Sequence, residues 1–103
     1  MSVLIEFAMF PTDKGESVSK YVSRIIKYID SQEYAYQLTP MGTIIETENI
    51  AEALKIIESC YDQLEPDCNR VYSSIKIDIR KGGKGRMRSK IQSIEDKIGN
   101  INK

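Results

Sequence analysis

Three acidic side chains are the residues of this chain best suited to hold a small molecule. Glu6, Glu46 and Asp78 each stand in a stretch of alternating residues, and the two-residue period of a strand gives each of them apolar neighbours on its own face. A carboxylate in that setting is either solvated or recruited, and it can pair with an amine or a ring nitrogen. The accompanying hydroxyl, thioether and aromatic candidates are Thr43, Met41 and Tyr36.

The competing interpretation of Glu46 and Asp78 is an ion pair with Lys76 or Arg80. Lys76, Asp78 and Arg80 alternate with isoleucines and fall on the same side of their segment as Tyr72. A mixture of apolar and paired charged residues on one face is typical of a subunit interface or a ligand floor. We therefore predict that Lys76, Arg80 and Tyr72 contact another copy of the chain, and both interpretations of the acids stay open.

Hydrophobic periodicity divides the chain into strands and helices. Strand patterns cover Ser2 to Phe10, Tyr34 to Thr39, Thr43 to Thr47 and Arg70 to Arg80. Helical patterns run from Ser17 to Ser31 and from Asn49 to Pro66. The second helix is predicted to bury Ile50, Ala53, Leu54, Ile57, Tyr61 and Leu64. A narrower third stripe comprises Met87, Ile91, Ile94, Ile98 and Ile101.

The order strand, helix, strand, strand, helix, strand predicts two split βαβ units joined at residues 40–42. This is the α+β ferredoxin-like sandwich, a four-stranded antiparallel sheet with two helices on one face, plus a C-terminal helix. Residues 1–103 are predicted to form one domain. The face opposite the two main helices should be open and carry the acids. Gly42 is predicted to be a turn glycine with positive φ.

Composition excludes several classes of function. Fifteen basic and fifteen acidic residues cancel, so no overall field attracts nucleic acid. The apolar runs are too short for a membrane span, and the N-terminus has no leader pattern, so no membrane partner is expected. Cys60 and Cys68 are interpreted as free thiols of a cytoplasmic protein, with a disulfide or a two-cysteine metal site as less favoured alternatives. No metal or cofactor is predicted, since the chain has no histidine.

A phosphate-loop interpretation and an acylphosphatase interpretation both fail on the residues present. The basic, glycine-rich segment 80–90 lacks the GxxxxGK[ST] pattern of a phosphate loop. It is interpreted as a solvated turn, with contact to a phosphorylated ligand or an acidic partner as the less favoured alternative. Ferredoxin-like acylphosphatases use an arginine in the loop after the first strand, and the corresponding segment 11–15 has no arginine. The protein is therefore predicted not to be an enzyme.

Two segments carry a resemblance to a known family. The MGTxxE sequence at 41–46 and the RVxxxIKIDxR sequence at 70–80 are similar to motifs of the UPF0045 proteins, also called the MTH1187/YkoF-like family. The opening of the first helix, 17–22, is similar too, and the resemblance covers nearly the whole chain. It implies a ferredoxin-like fold, assembly into homodimers or homotetramers, and binding of thiamine or its pyrimidine moiety. It implies no catalytic activity, and segment 81–85 departs from it.

The residues point in the same direction as the resemblance. Thiamine is a cation that carries an aminopyrimidine, so a site for it needs a carboxylate, polar partners and an aromatic or thioether wall. Our prediction is a non-catalytic protein that binds thiamine or its hydroxymethylpyrimidine moiety as a homo-oligomer. The alternative is a regulatory or structural ferredoxin-like oligomerisation module that senses another small metabolite.

Overall fold

Strands and helices follow the predicted order in the computed structural model, which describes residues 1–16, 18–82 and 85–101. The elements are β1 (Ser2–Pro11), α1 (Ser19–Asp30), β2 (Ala35–Thr39), β3 (Gly42–Thr47), α2 (Ile50–Asp62), β4 (Val71–Arg80) and α3 (Arg86–Ile98). The predicted start of the first helix at Ser17 lies outside the described residues. Within them, no helix has the length and apolar character needed to cross a membrane.

The sheet has the strand order β2-β3-β1-β4, with every neighbouring pair antiparallel. This arrangement confirms the ferredoxin-like α+β fold. Directly paired residues of antiparallel strands project to the same face. One such row contains Ala35, Glu46, Leu4 and Asp78, and the next contains Gln37, Ile44, Glu6 and Lys76. The three acids therefore share one face of the sheet, which we call the open face.

The hydrophobic core lies on the opposite face, under α1 and α2. β1 contributes alternate residues to it because the strand period points every second side chain at the helices. The fully or almost fully buried apolar residues are Val3, Ile5, Phe7, Met9, Ile25, Ile29, Ile45, Ala53, Ile56, Cys60, Leu64 and Cys68. Cys60 and Cys68 are both free thiols.

The buried side of α2 matches the predicted one in part, because Ala53 and Leu64 are buried and Ile57 packs against the core. Ile56 is 3% exposed, whereas Leu54 and Tyr61 are 53% and 41% exposed. Two arcs of α2 satisfy the helical period, and the sequence prediction chose the one with larger side chains. The observed arc contains the small residues Ala53 and Cys60, which let the helix lie close to β1 and β3.

The isoleucines of β4 face the helix side but are not covered. Ile75, Ile77 and Ile79 pair with core residues of β1, and yet 41%, 39% and 53% of their surface is exposed. The alternation in this segment predicts one face against the core, and the structure covers that face only in part. β4 is an edge strand, so the two helices, which contact β1, leave its outer side uncovered.

Gly42 is required by a close backbone contact and not by a positive φ. The glycines with positive φ among the described residues are Gly15, Gly85 and Gly99, so the prediction for Gly42 was wrong. A Cβ at Gly42 would lie 2.9 Å from the carbonyl oxygen of Phe7. The close approach of β3 to β1 is what excludes a side chain here.

α3 crosses the open face of the sheet. Its residues Met87 and Ile91 line a cleft together with Leu4 and Ile44 of that face. Only the first half of the predicted apolar stripe is used in this way, because Ile94 and Ile98 are 48% and 72% exposed. The face that the two main helices leave bare is thus partly roofed by the third helix.

Candidate functional site

A buried arginine fixes the start of α3 to the sheet. Arg86 is 5% exposed, and its guanidinium donates hydrogen bonds to two residues on neighbouring strands. It reaches the hydroxyl and carbonyl oxygens of Ser2 at 3.0 and 2.9 Å, and a carboxylate oxygen and the carbonyl oxygen of Asp78 at 3.0 and 2.7 Å. The network therefore joins α3 to both β1 and β4.

Glu46 caps the same helix from β3. Its carboxylate accepts hydrogen bonds from the backbone N–H groups of Arg86 and Met87, at 3.0 and 3.3 Å, and from the Ser2 hydroxyl at 2.7 Å. The helix needs this partner because Gly85, at the N-cap position, makes no side-chain cap hydrogen bond. A negative charge beside exposed N–H groups at a helix N-terminus is favourable.

The surroundings of Glu46 keep it ionised. Burial alone would raise the pKa of its carboxyl group. The hydrogen bonds from Ser2, Arg86 and Met87, together with the charge of Arg86, outweigh burial and lower the pKa below its ordinary value. Glu46 is thus a charged residue whose carboxylate is engaged in holding the N-terminus of α3.

A cleft of about 410 Å³ lies between the open face and α3. Its apolar surfaces are formed by Leu4 and Ile44 on the sheet and by Met87 and Ile91 on the helix. The polar residues that line it are Glu6, Gln37, Lys76, Asp78 and Lys90. A flat ring fits between two such apolar surfaces, with its polar edge directed to the charged residues.

The two lysines of this cleft are loosely paired with its acids. Glu6 lies 3.6 Å from the Lys76 ammonium, and Asp78 lies 3.8 Å from the Lys90 ammonium. Both distances exceed those of a hydrogen bond. All four side chains are about half exposed or more, so each pair contributes little to stability. Glu6 can therefore exchange its lysine for a ligand at small cost.

The structure brings some of the predicted ligand residues together and separates others. Glu6 and Asp78 line the cleft under α3, and Glu46 lies beside it at the N-terminus of that helix. Tyr36 belongs to the helix face, because it pairs with the buried Ile45. Its hydroxyl donates a 2.7 Å hydrogen bond to Asp30. That hydrogen bond, followed by burial, raises the pKa of Tyr36.

Thr43 and Met41 lie at a second cleft. This cleft, of about 300 Å³, is formed by α1 and the β2–β3 turn on the helix side of the sheet. Thr43 is 5% exposed and Met41 is 88% exposed. The described residues that line this cleft include no charged side chain. It offers an apolar space without the carboxylate that an aminopyrimidine requires.

Sequence reasoning missed the arginine that organises the site. Arg86 was assigned to a solvated basic turn, whereas the structure buries it. The available signal was its place directly before the apolar stripe that begins at Met87, which makes it the first residue of α3. Gln37 was also missed, although the period of β2 places it with Ala35 on the face that carries Glu46.

The three predicted interface residues all lie on β4. Tyr72 is 56% exposed, and its ring lies 5.7 Å from that of Phe10. Lys76 and Arg80 are exposed on the same strand. The positions suit a contact between copies of the chain, and that contact stays a prediction.

Comparison with known proteins gives a family match over most of the chain. The model of the family described as thiamine-binding protein matches residues 5–95. The UPF0045 protein MJ1052 of Methanocaldococcus jannaschii is 34% identical over 92 residues, which are 89% of this chain and 91% of that protein. The UPF0045 protein YqgV of Bacillus subtilis is 34% identical over 83 residues, 76% of this chain and 79% of that protein.

Solved structures agree with the fold. The crystal structure of MJ1052 superposes with a TM-score of 0.79 at 33% identity, covering 92% of this chain and 97% of that one. A Thermotoga maritima protein, described as a candidate for thiamine biosynthesis or salvage, gives a TM-score of 0.78 at 21% identity. It covers 91% of this chain and 99% of that one, and at this identity it supports the fold alone.

Replacing Arg86 by methionine tests the anchor of α3. Arg86→Met removes four hydrogen bonds from a charged donor, so we expect a loss of about 2 kcal/mol in the free energy of unfolding. Urea denaturation measures it. Arg88→Met, at an exposed position of the same helix, is the control and should cost less than about 0.5 kcal/mol. Equal losses for the two variants would contradict a special role of Arg86.

The lowered pKa of Glu46 predicts a pH dependence of stability. The unfolded chain takes up this proton at a higher pH than the folded one, so the contribution of Glu46 is complete above its ordinary value of 4.5 and is lost as the pH falls through the lowered pKa. The difference in unfolding free energy between the parent and Glu46→Gln should therefore shrink on acidification from pH 7 to pH 3. Glu65→Gln controls for the removal of one exposed carboxylate, and a pH-independent difference for Glu46→Gln would refute the assignment.

Proposed function

Because this chain belongs to the thiamine-binding protein family, we propose that it binds thiamine or its hydroxymethylpyrimidine moiety in the cleft between the open face and α3. The family match supports the class of ligand. The cleft supports the place, since it combines two apolar surfaces with a loosely paired carboxylate, Glu6. Its volume of about 410 Å³ lies within the range of about 300–1,000 Å³ usual for small-molecule sites.

The single observation that carries the proposal is the row Gln37, Ile44, Glu6 across the open face. Ile44 provides an apolar surface on which a ring can lie. Met87 lines the same cleft from α3 and offers the ring a polarisable thioether. Glu6 can accept hydrogen bonds from an exocyclic amine, while the amide of Gln37 can both donate and accept. An aminopyrimidine presents these complementary groups along its edge.

Asp78 and Glu46 take different parts in this proposal. Asp78 contacts the ligand region directly, as a lining residue of the cleft. Glu46 positions the roof by capping α3. The predicted contributions of Tyr36, Thr43 and Met41 have less support, because these residues lie on the helix side of the sheet or at the turn.

We propose binding without catalysis. The family description names binding and no reaction. The thiol of Cys60 is fully buried, and burial raises its pKa to about 12, so at neutral pH it is an unreactive thiol. Cys60 and Cys68 are both unbridged, which is usual in a reducing compartment and supports our placing the protein in the cytoplasm.

Titration calorimetry tests the ligand and the site together. We expect saturable binding of thiamine or hydroxymethylpyrimidine to the parent protein, and about tenfold weaker binding to Glu6→Gln, which loses a charge-assisted hydrogen bond. Glu65→Gln is the matched control and should bind like the parent. Absence of binding of both compounds to the parent would refute the proposed function. Unchanged affinity in Glu6→Gln would remove the cleft as the site.

The edge of the sheet supports a homo-oligomer. β4 is a ten-residue edge strand paired only with β1 in the described part of the chain, and it exposes three isoleucines on its helix side. Such an edge is a template for pairing with another strand unless something covers it. We assign a second copy of the chain to this edge, giving a homodimer that can assemble further into a homotetramer.

A charged substitution on β4 tests the assembly. Ile77→Lys places an ammonium group in the exposed apolar row, and we expect it to convert the oligomer into monomers while the strand order is retained. Size-exclusion chromatography with light scattering measures the mass, and circular dichroism checks the fold. Ser19→Lys adds the same charge at an exposed position of α1 and should keep the oligomer. A monomeric parent, or an oligomeric Ile77→Lys protein, would argue against this interface.

A further inference from the structure

The cleft under α3 contains a cation, Lys90, whose charge is not required to neutralise the acidic side chains there. Asp78 accepts a 3.0 Å hydrogen bond from the buried guanidinium of Arg86. The Lys90 ammonium lies 3.8 Å from the same carboxylate oxygen, beyond hydrogen-bond distance. One carboxylate oxygen is therefore shared by two cations, and Arg86 is the closer and more buried of them.

The position of Lys90 on α3 adds to the excess of positive charge beside Asp78. Arg86 and Lys90 are four residues apart on one helix, so they lie on the same side and repel each other. Lys90 has an exposed side chain at the rim of the cleft. An ammonium in that position gains by contact with an additional anion, which a bound ligand can supply.

A second lysine stands close by on the floor. Lys76 and Asp78 are two residues apart on β4 and share its open face, which separates them by roughly 7 Å. Lys76 approaches Glu6 no closer than 3.6 Å. When Glu6 turns to a ligand amine, Lys76 loses the ion pair that it makes with Glu6 in the described part of the chain.

We propose that the cleft takes its heteroaromatic ligand preferentially as a monophosphate, with Lys76 and Lys90 holding the phosphate group. This inference rests on the function proposed above. The ring lies over Ile44 with its amine toward Glu6 and Gln37, and the phosphate lies at the β4 side of the cleft, about two strand spacings or ~10 Å from Ile44. A phosphate carries between one and two negative charges at pH 7 and accepts several charge-assisted hydrogen bonds.

The arrangement of charge explains why the phosphate form is favoured over the plain cation. Thiamine brings a positive charge to a cleft in which Lys76 and Lys90 already face Glu6 and Asp78. The phosphate group of the monophosphate offsets the positive charge of the neighbouring thiazolium ring. It also gives Lys76 an anion to pair with when Glu6 accepts a hydrogen bond from the uncharged aminopyrimidine.

Calorimetry with three probes separates this inference from the proposed function. Full-length protein is titrated with thiamine, thiamine monophosphate and inorganic phosphate at low salt and again at high salt. We expect thiamine monophosphate to bind about tenfold more tightly than thiamine at low salt, with a smaller ratio at high salt because exposed charges are screened. Inorganic phosphate alone should bind far more weakly than thiamine monophosphate.

Lysine variants locate the phosphate. Lys90→Gln should lower the preference for thiamine monophosphate over thiamine by about fivefold, whereas Lys97→Gln, at an exposed position in the last turn of α3, should keep the preference of the parent. Thiamine binding without any preference for the monophosphate would overturn the inference and keep the proposed function. Equal binding of inorganic phosphate and the monophosphate, or full preference in Lys90→Gln, would also overturn it. Binding of none of the probes would overturn both.

Discussion

The ionic network around Arg86 determines what the open face of this sheet can do. A guanidinium at 5% exposure is costly unless its donors are satisfied, and here Ser2 and Asp78 accept them. Among the described residues, no buried side-chain nitrogen or oxygen lacks a hydrogen-bond partner. Buried charges of this kind are weak evidence for net stability. Their effect is on specificity, because α3 can satisfy Arg86 and Glu46 together in one position on the sheet.

The cleft follows from that position. A ferredoxin-like sheet covers one face with its two crossover helices and leaves the other bare. α3 is tied down at its N-terminus, and the side chains of Met87 and Ile91 hold it above Leu4 and Ile44. The acids of the open face are thereby divided between two tasks. Glu46 caps the N-terminus of α3. Asp78 pairs with Arg86 of α3 and also lines the cleft, and Glu6 lies 3.6 Å from the ammonium of Lys76.

The sequence predicted the fold because strand and helix periods are local properties. The acids at 6, 46 and 78 were placed on one face by alternation within each strand, and the register confirms it. Tyr36 was misplaced because alternation says which residues of β2 share a face, but pairing across the turn decides which face that is. The buried arc of α2 escaped prediction because two arcs have the same period. Arg86 escaped because its partners, Ser2 and Asp78, are brought to it only by the complete sheet.

The exposed second half of α3 has a mechanical consequence. The helix is about 20 Å long, from its 13 residues and a rise of about 1.5 Å per residue, and the hydrogen bonds of Arg86 and Glu46 fix its N-terminus to the sheet. Ile94 and Ile98, toward the other end, are apolar and largely uncovered. A shift of α3 at those residues would move the residues that cover the cleft. If docking there and ligand binding favoured different positions of α3, each would change the affinity of the other by the same factor.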